Sequence, residues 1–222
     1  MLPEKLRSIF RKESDSVSPA AVARKPVKLG PPSTRQSRGL EQFFFNIRDL
    51  LGLSILDFSG ANQENIDFLT NLGHKLYSQD IVRSLDEAFG TEIAEQNNAA
   101  RMDSFLRANF DYPPGTFDGL LLWDSLQFLG PALMTATVDR LYEMMRPKSY
   151  LLAFFTANER ATEVPSHSFR IVDDKTILIS ERGIRPSGQV FNNRNLEKLF
   201  GKFESVKFFL TRDSLREVIV RR

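Results

Sequence analysis

Asp57 ends the apolar run "LSILDF" and is followed by the small residues Ser59, Gly60 and Ala61. Asn62 comes next, a residue type that suits a helix N-cap. Asp80 stands 23 residues beyond Asp57 and ends a second short stretch, "HKLYSQD". Trp123 and Asp124 close a third, "FDGLLLWD". Carboxylates at strand ends accept hydrogen bonds from hydroxyl and ammonium groups. Amides at the start of a helix after a tight turn bind anions. An aromatic ring beside them offers a stacking surface. On the carboxyl edge of an open α/β sheet, where such folds take ligands, this set could recognise a nucleoside.

Each of these residues also has a structural reading. The Asp57 carboxylate could satisfy the amides of its own loop, and Asp80 could cap a helix beginning at Ile81. Trp123 could pack in the core beside Leu120, Leu121 and Leu122. The two histidines are His74 and His167. His167 sits in the polar stretch "ERATEVPSHSFR", where a surface histidine is the default and a general base the alternative. "DYPP", residues 111–114, reads as a loop. Asn192, Asn193 and Arg194 read as a capping turn before a short helix, with a cleft-lining role as the alternative. There are no cysteines, which excludes disulfides, thiolate metal sites and a cysteine nucleophile. With two histidines, no metal site is expected.

The elements that must hold these residues alternate. "LEQFFFNIRDLLG" spaces Phe43, Phe44, Ile47, Leu50 and Leu51 as a helix, with Gly52 able to end it. "LSILDF" is a buried strand. A helix capped by Asn62 follows and stops at Gly73. "HKLYSQD" is a strand, and residues 81–108 are mostly helical with a break near Gly90. "FDGLLLWD" is a central strand, "PALMTATVDRLYEMM" a helix with proline in its first turn, and "SYLLAFFTA" another strand. A short helix at 195–200 precedes two strands, "SVKFFLTR" and "REVIVRR". Strands alternating with helices imply a parallel sheet covered on both faces. The last two strands are joined by too few residues for a crossover, so they must be antiparallel.

The 222 residues suit one domain and a tail. Composition is that of a globular protein, 41% hydrophobic and 26% charged. Nine basic residues against three acids leave residues 1–38 at +6; from a total of +2, the remainder carries −4. Residues 13–38 are rich in Pro, Ser and basic residues and are expected to be disordered. "MLPEKLRSIFRK" could form a short basic amphipathic helix. The division expected is therefore a basic tail over 1–38 and a folded domain over 39–222. The tail is the one part suited to an anionic membrane surface or nucleic acid. No apolar run is long enough for a transmembrane segment. The lack of cysteine favours a cytoplasmic setting.

This order of elements resembles the class I S-adenosylmethionine-dependent methyltransferases over roughly 40–222. Ile55-Leu56-Asp57 is similar to the end of that family's first strand, before its D-x-G-x-G-x-G loop. Asp80 matches the acid that holds the ribose hydroxyls. "GTFDGLLLWDSLQFL" resembles the fourth strand and following turn, and "LYEMMRPKSYLLAFF" the helix and strand that usually read L-x-P-G-G-x-L. The resemblance implies an α/β, Rossmann-like methyltransferase fold: a seven-stranded, mostly parallel sheet with an antiparallel last strand and helices on both faces. It implies S-adenosylmethionine as cofactor, held by Asp57, Ser59, Gly60, Ala61, Asp80, Trp123 and Asp124. The methyl acceptor, a small molecule or a protein, is not specified.

The departures are local. Ser59, Ala61 and Gln63 occupy the three glycine positions, and Gly60 falls between them. Pro147-Lys148-Ser149 replaces Pro-Gly-Gly, and no clear third strand precedes "NFDYPPG". Two functions of different class follow. One is an S-adenosylmethionine-dependent methyltransferase, whose chemistry needs proximity and orientation more than a base. The other is a non-catalytic methyltransferase-like protein that has lost cofactor binding and serves in binding or regulation. A nicotinamide dehydrogenase fits poorly, because G-x-G-x-x-G is absent.

Overall fold

The computed structural model describes residues 30–211 and 215–222. Its main sheet has six strands. Strands β2 (Ser54–Asp57), β3 (Lys75–Ser78), β4 (Phe117–Trp123) and β5 (Met145–Thr156) are parallel, in the order β3-β2-β4-β5. Strand β9 (Leu215–Arg221) runs antiparallel beside β5, and β8 (Ser205–Leu210) pairs with β9 at the edge. The antiparallel closing hairpin is as the short link between them required. Six strands stand where seven were expected among the described residues, because no strand forms outside β3. That region instead holds a 3₁₀ turn (Ile93–Asn97) and helix α4 (Ala99–Phe110).

Helices cover both faces. Helix α1 (Arg38–Ile47) and α2 (Gln63–Asn71) lie on one side. Helices α3 (Ile81–Phe89), α4, α5 (Pro131–Met144) and α6 (Asn193–Leu199) lie on the other. Phe43, Phe44 and Ile47 of α1 join Ile55, Leu121, Leu152 and Phe154 in one core. On the opposite face, α3 and α5 pack Leu85, Leu133 and Leu141 against Leu120, Leu151 and Val220. Gly119 makes the first of these layers possible. A Cβ there would stand 2.7 Å from Phe43 Cζ and 2.8 Å from Ile55 Cδ1, closer than any packed core allows. Helix α1 ends at Ile47, before the predicted stop, and Gly52 takes φ +70° in the loop that follows.

Two segments differ from expectation. The polar stretch 159–170 is not a plain linker: residues 163–186 form a long hairpin of β6 (Glu163–Ile171) and β7 (Thr176–Pro186). Residues 33–36, placed above in the disordered tail, form β1 (Ser33–Gln36), which pairs antiparallel with β7. The second sheet is thus β1-β7-β6, and the fold includes residues 33–36, which the expected boundary at 39 had left out. A buried ion pair anchors β1. Glu217, fully buried on β9, bonds the Arg35 guanidinium and accepts from Ser37 Oγ (3.0 Å) and the Gly39 amide (2.6 Å). The amphipathic stretch 1–12 and the rest of the expected disorder up to residue 29 lie outside the described residues.

Candidate functional site

The loop after β2 forms as its residue types allow. Asn62 caps α2, its Oδ1 accepting from the Asn65 amide at 2.8 Å. Gly60 takes φ +87°, a left-handed conformation that costs glycine little. Gln63 lies on the exposed surface of α2 and bonds Asp67 at 2.7 Å, so it does not intrude on the turn. The loop does not stand open. The Gly60 amide donates to the Gln79 carbonyl (3.1 Å), and the Ile81 amide faces the Phe58 carbonyl (3.4 Å). Ser59 and Asp80 form a β-bridge. A Cβ on Gly60 would meet that of Asp80 at 3.2 Å. The gap between loop and second-strand acid is closed by the chain itself.

Asp57 is 0% exposed. Its Oδ1 accepts from the Ser59 amide (2.8 Å) and from Trp123 Nε1 (2.7 Å), and its Oδ2 from Asn65 Nδ2 (2.6 Å). Burial raises its pKa above the ordinary carboxyl value, opposed by these hydrogen bonds. The structure therefore uses Asp57 as the hub of an internal network. Asn65 extends it to the arm: its Nδ2 also donates to the Phe169 carbonyl (3.2 Å), and its Oδ1 accepts from the Ile171 amide (2.7 Å).

Trp123 is 1% exposed, with φ +52°, a strained backbone for a bulky residue. Its indole is held by Asp57 and stacks on Phe169 of β6, centroids 4.9 Å apart and planes 6° from parallel. Asp124 is buried. Its Oδ2 accepts from the His167 amide and faces His167 Nδ1, each at 2.9 Å. Burial raises the Asp124 pKa, while the bonds from His167 and the charge of Arg182 oppose the rise. Asp80 caps α3, accepting from the Arg83 amide at 3.1 Å. It is also bound at both oxygens by the Arg182 guanidinium, at 3.2 and 2.7 Å.

The fold thus brings Asp57, Ser59, Gly60, Asp80, Trp123 and Asp124 together at the carboxyl edge of the sheet, with Ala61 exposed at the turn. Each carboxylate faces the β6–β7 arm or its own loop. His167 is a fixed partner of Asp124, not the surface residue expected. Sequence reasoning missed Arg182, Phe169 and Asn65, whose partners lie far away in the chain. The signal present was alternation in "TILISERGI", interrupted by charge. Asn192 caps α6 (2.8 Å to the Asn195 amide), the reading favoured above. "DYPP" is a loop.

An S-adenosylmethionine molecule does not fit these residues as they stand. Asp80 is paired with an arginine, Trp123 is inside the core, and the Ser59 and Gly60 amides are bonded to the chain. Among the described residues no cluster of His, Cys, Asp or Glu could hold a metal ion. No helix among them is long and apolar enough to cross a membrane.

No protein-family model matches the chain, and no curated protein matches it significantly. Solved structures do. An S-adenosylmethionine-dependent methyltransferase from Archaeoglobus fulgidus matches with a TM-score of 0.51 at 10% identity, over 82% of this chain and 91% of that one. The 1,6-didemethyltoxoflavin-N1-methyltransferase of Burkholderia thailandensis, with bound 1,6-didemethyltoxoflavin and S-adenosylhomocysteine, matches with a TM-score of 0.45 at 9% identity, over 83% of this chain and 76% of that one. The fold is the Rossmann-like fold of the class I methyltransferases. At these identities the likeness concerns the fold alone.

Proposed function

We propose that this chain is a methyltransferase-fold protein that works by binding rather than by methyl transfer, its cofactor cleft being filled by its own β6–β7 arm. One observation carries this reading. Arg182 occupies both oxygens of Asp80, and the Ser59–Asp80 bridge shuts the loop onto the same residue. The ribose hydroxyls would need those oxygens, and the methionine half would need the space. The stacking of Phe169 on Trp123 and the capture of β6 by Asn65 support the same conclusion.

A second reading is an S-adenosylmethionine-dependent methyltransferase of unspecified acceptor. It is favoured by the frame itself. Asp57, Asp80 and Asp124 stand at the ends of parallel strands, in a fold shared with the Archaeoglobus fulgidus methyltransferase. It requires the arm to leave the cleft before the cofactor enters.

Titration of the full-length protein with S-adenosylmethionine and S-adenosylhomocysteine separates the two. Calorimetry and the fluorescence of Trp123, the single tryptophan, are the readouts. No heat and no fluorescence change at high micromolar ligand is expected. Saturable binding that is lost in Asp80→Ala would overturn the binding-protein reading and establish the enzyme's first requirement.

A further inference from the structure

The arm fills one cleft and forms the wall of another cavity. On its other side, near the ends of β4 and β5, is a cavity of about 440 Å³. Thr34, Arg35, Gln127, His167, Phe169 and Leu215 are among the residues lining it. These come from both sheets and from the turn after β4, so the cavity exists only because the arm is docked. It is half apolar. Of its lining residues only Arg35 and His167 carry titrating or charged side chains.

His167 is set up for a defined task. The Asp124 carboxylate faces Nδ1 at 2.9 Å, which assigns the proton to Nδ1 and leaves the Nε2 lone pair as the acceptor. Asp124 is itself buried and fixed by the His167 amide. A buried carboxylate behind an imidazole orients the ring and stabilises the imidazolium. The other charges near this pair are already matched. Arg182 is bound to Asp80, and Arg35 to the buried Glu217. An anionic ligand therefore finds no free cation. A neutral ligand that donates an O–H finds an acceptor, against an apolar wall of Phe169 and Leu215.

We propose that this cavity binds a phenolic compound whose hydroxyl donates to His167 Nε2 and passes its proton there. The balance is simple. The ligand O–H bond breaks, its electron pair stays on oxygen as phenolate, and the proton forms the second N–H of His167. The imidazolium then lies between the Asp124 carboxylate and the phenolate, paired with both. No cofactor takes part, so this site stands whether or not S-adenosylmethionine binds.

The test uses p-nitrophenol with the full-length protein, because its anion is yellow and its acid is not. At neutral pH, calorimetry should show saturable binding. Absorbance should show a larger phenolate fraction for bound than for free probe. Thr34→Trp, at an exposed residue of β1 that lines the cavity, should abolish binding with the fold intact by circular dichroism. His167→Gln keeps the backbone bond to Asp124 and should remove the phenolate signal at least tenfold more strongly than it weakens binding. If His167→Gln does not fold, Asp124→Asn serves, and it should lower the phenolate fraction. The absence of saturable binding to the wild-type protein would overturn the proposal. So would binding unchanged by Thr34→Trp, or a phenolate fraction equal to that of free probe.

Discussion

Replacing Asp57 with alanine should destabilise the protein by about 2–4 kcal/mol. The magnitude follows from its three partners. Trp123 Nε1 is buried and would lose its acceptor; a stranded buried donor costs about 1–3 kcal/mol. Asn65 Nδ2 would keep only its longer bond to the Phe169 carbonyl. The Ser59 amide is partly buried and can reach water. Against these losses, the variant no longer buries a carboxylate whose pKa burial has raised, which offsets part of the cost. Asparagine is no remedy. Asn65 is fixed by the Ile171 amide at its oxygen, so an amide at 57 that accepts from Trp123 must point its NH₂ at another NH₂. Urea unfolding of Asp57→Ala, Trp123→Phe and the double variant gives the coupling, expected at about 1–3 kcal/mol. A loss below about 0.5 kcal/mol for Asp57→Ala, or additivity within about 0.5 kcal/mol, would refute the view that Asp57 is an internal hub.

Further outcomes are expected. Glu217→Ala removes the buried acceptor shared by Arg35, Ser37 Oγ and the Gly39 amide and should cost about 3–5 kcal/mol in chemical denaturation, with faster proteolysis around residues 33–36. Arg182→Ala should cost no more than about 1 kcal/mol, since the Arg182 and Asp80 side chains are 35% and 26% exposed; a thermal scan reads this. Gly119→Ala forces a methyl into Phe43 and Ile55 and should lose about 1–3 kcal/mol in the same assay. Burial raises the Asp124 pKa, so its stabilising share is fully present below the ordinary carboxyl pKa of about 4 and lost as pH rises through the folded value. The stability of wild type relative to Asp124→Asn should therefore fall as pH rises from about 4, read from urea midpoints over a pH series.

The parts of the fold legible in the sequence were those fixed by local rules. Apolar runs gave β2, β4 and β5, Asn62 and Gly73 bracketed α2, and the short link forced the β8–β9 hairpin. Asp80 as a helix cap and Trp123 in the core were both open alternatives, and the structure takes both. The arm was not legible. Its strands are polar and bulged between Ser166 and His167, so alternation is broken where it would signal a strand. Its anchors join residues about a hundred positions apart, such as Asn65 with Phe169 and Asp80 with Arg182. No local pattern encodes such pairs. For the same reason the polar residues at the strand ends could be named one by one, while the fact that they face the arm could not.

The arm is covalently attached to the sheet it covers, between residues 157–162 on one side and 187–192 on the other. It therefore meets the cleft as a tethered ligand, at an effective concentration on the order of millimolar for short linkers. A free molecule competing for Asp80 works against that standing concentration at every moment. Its apparent affinity is its intrinsic affinity multiplied by the fraction of time the cleft is vacant. Cutting the chain once at the arm's tip, residues 172–175, would leave both tethers in place and much of that advantage intact. Deleting the hairpin would remove it altogether, and with it the second cavity.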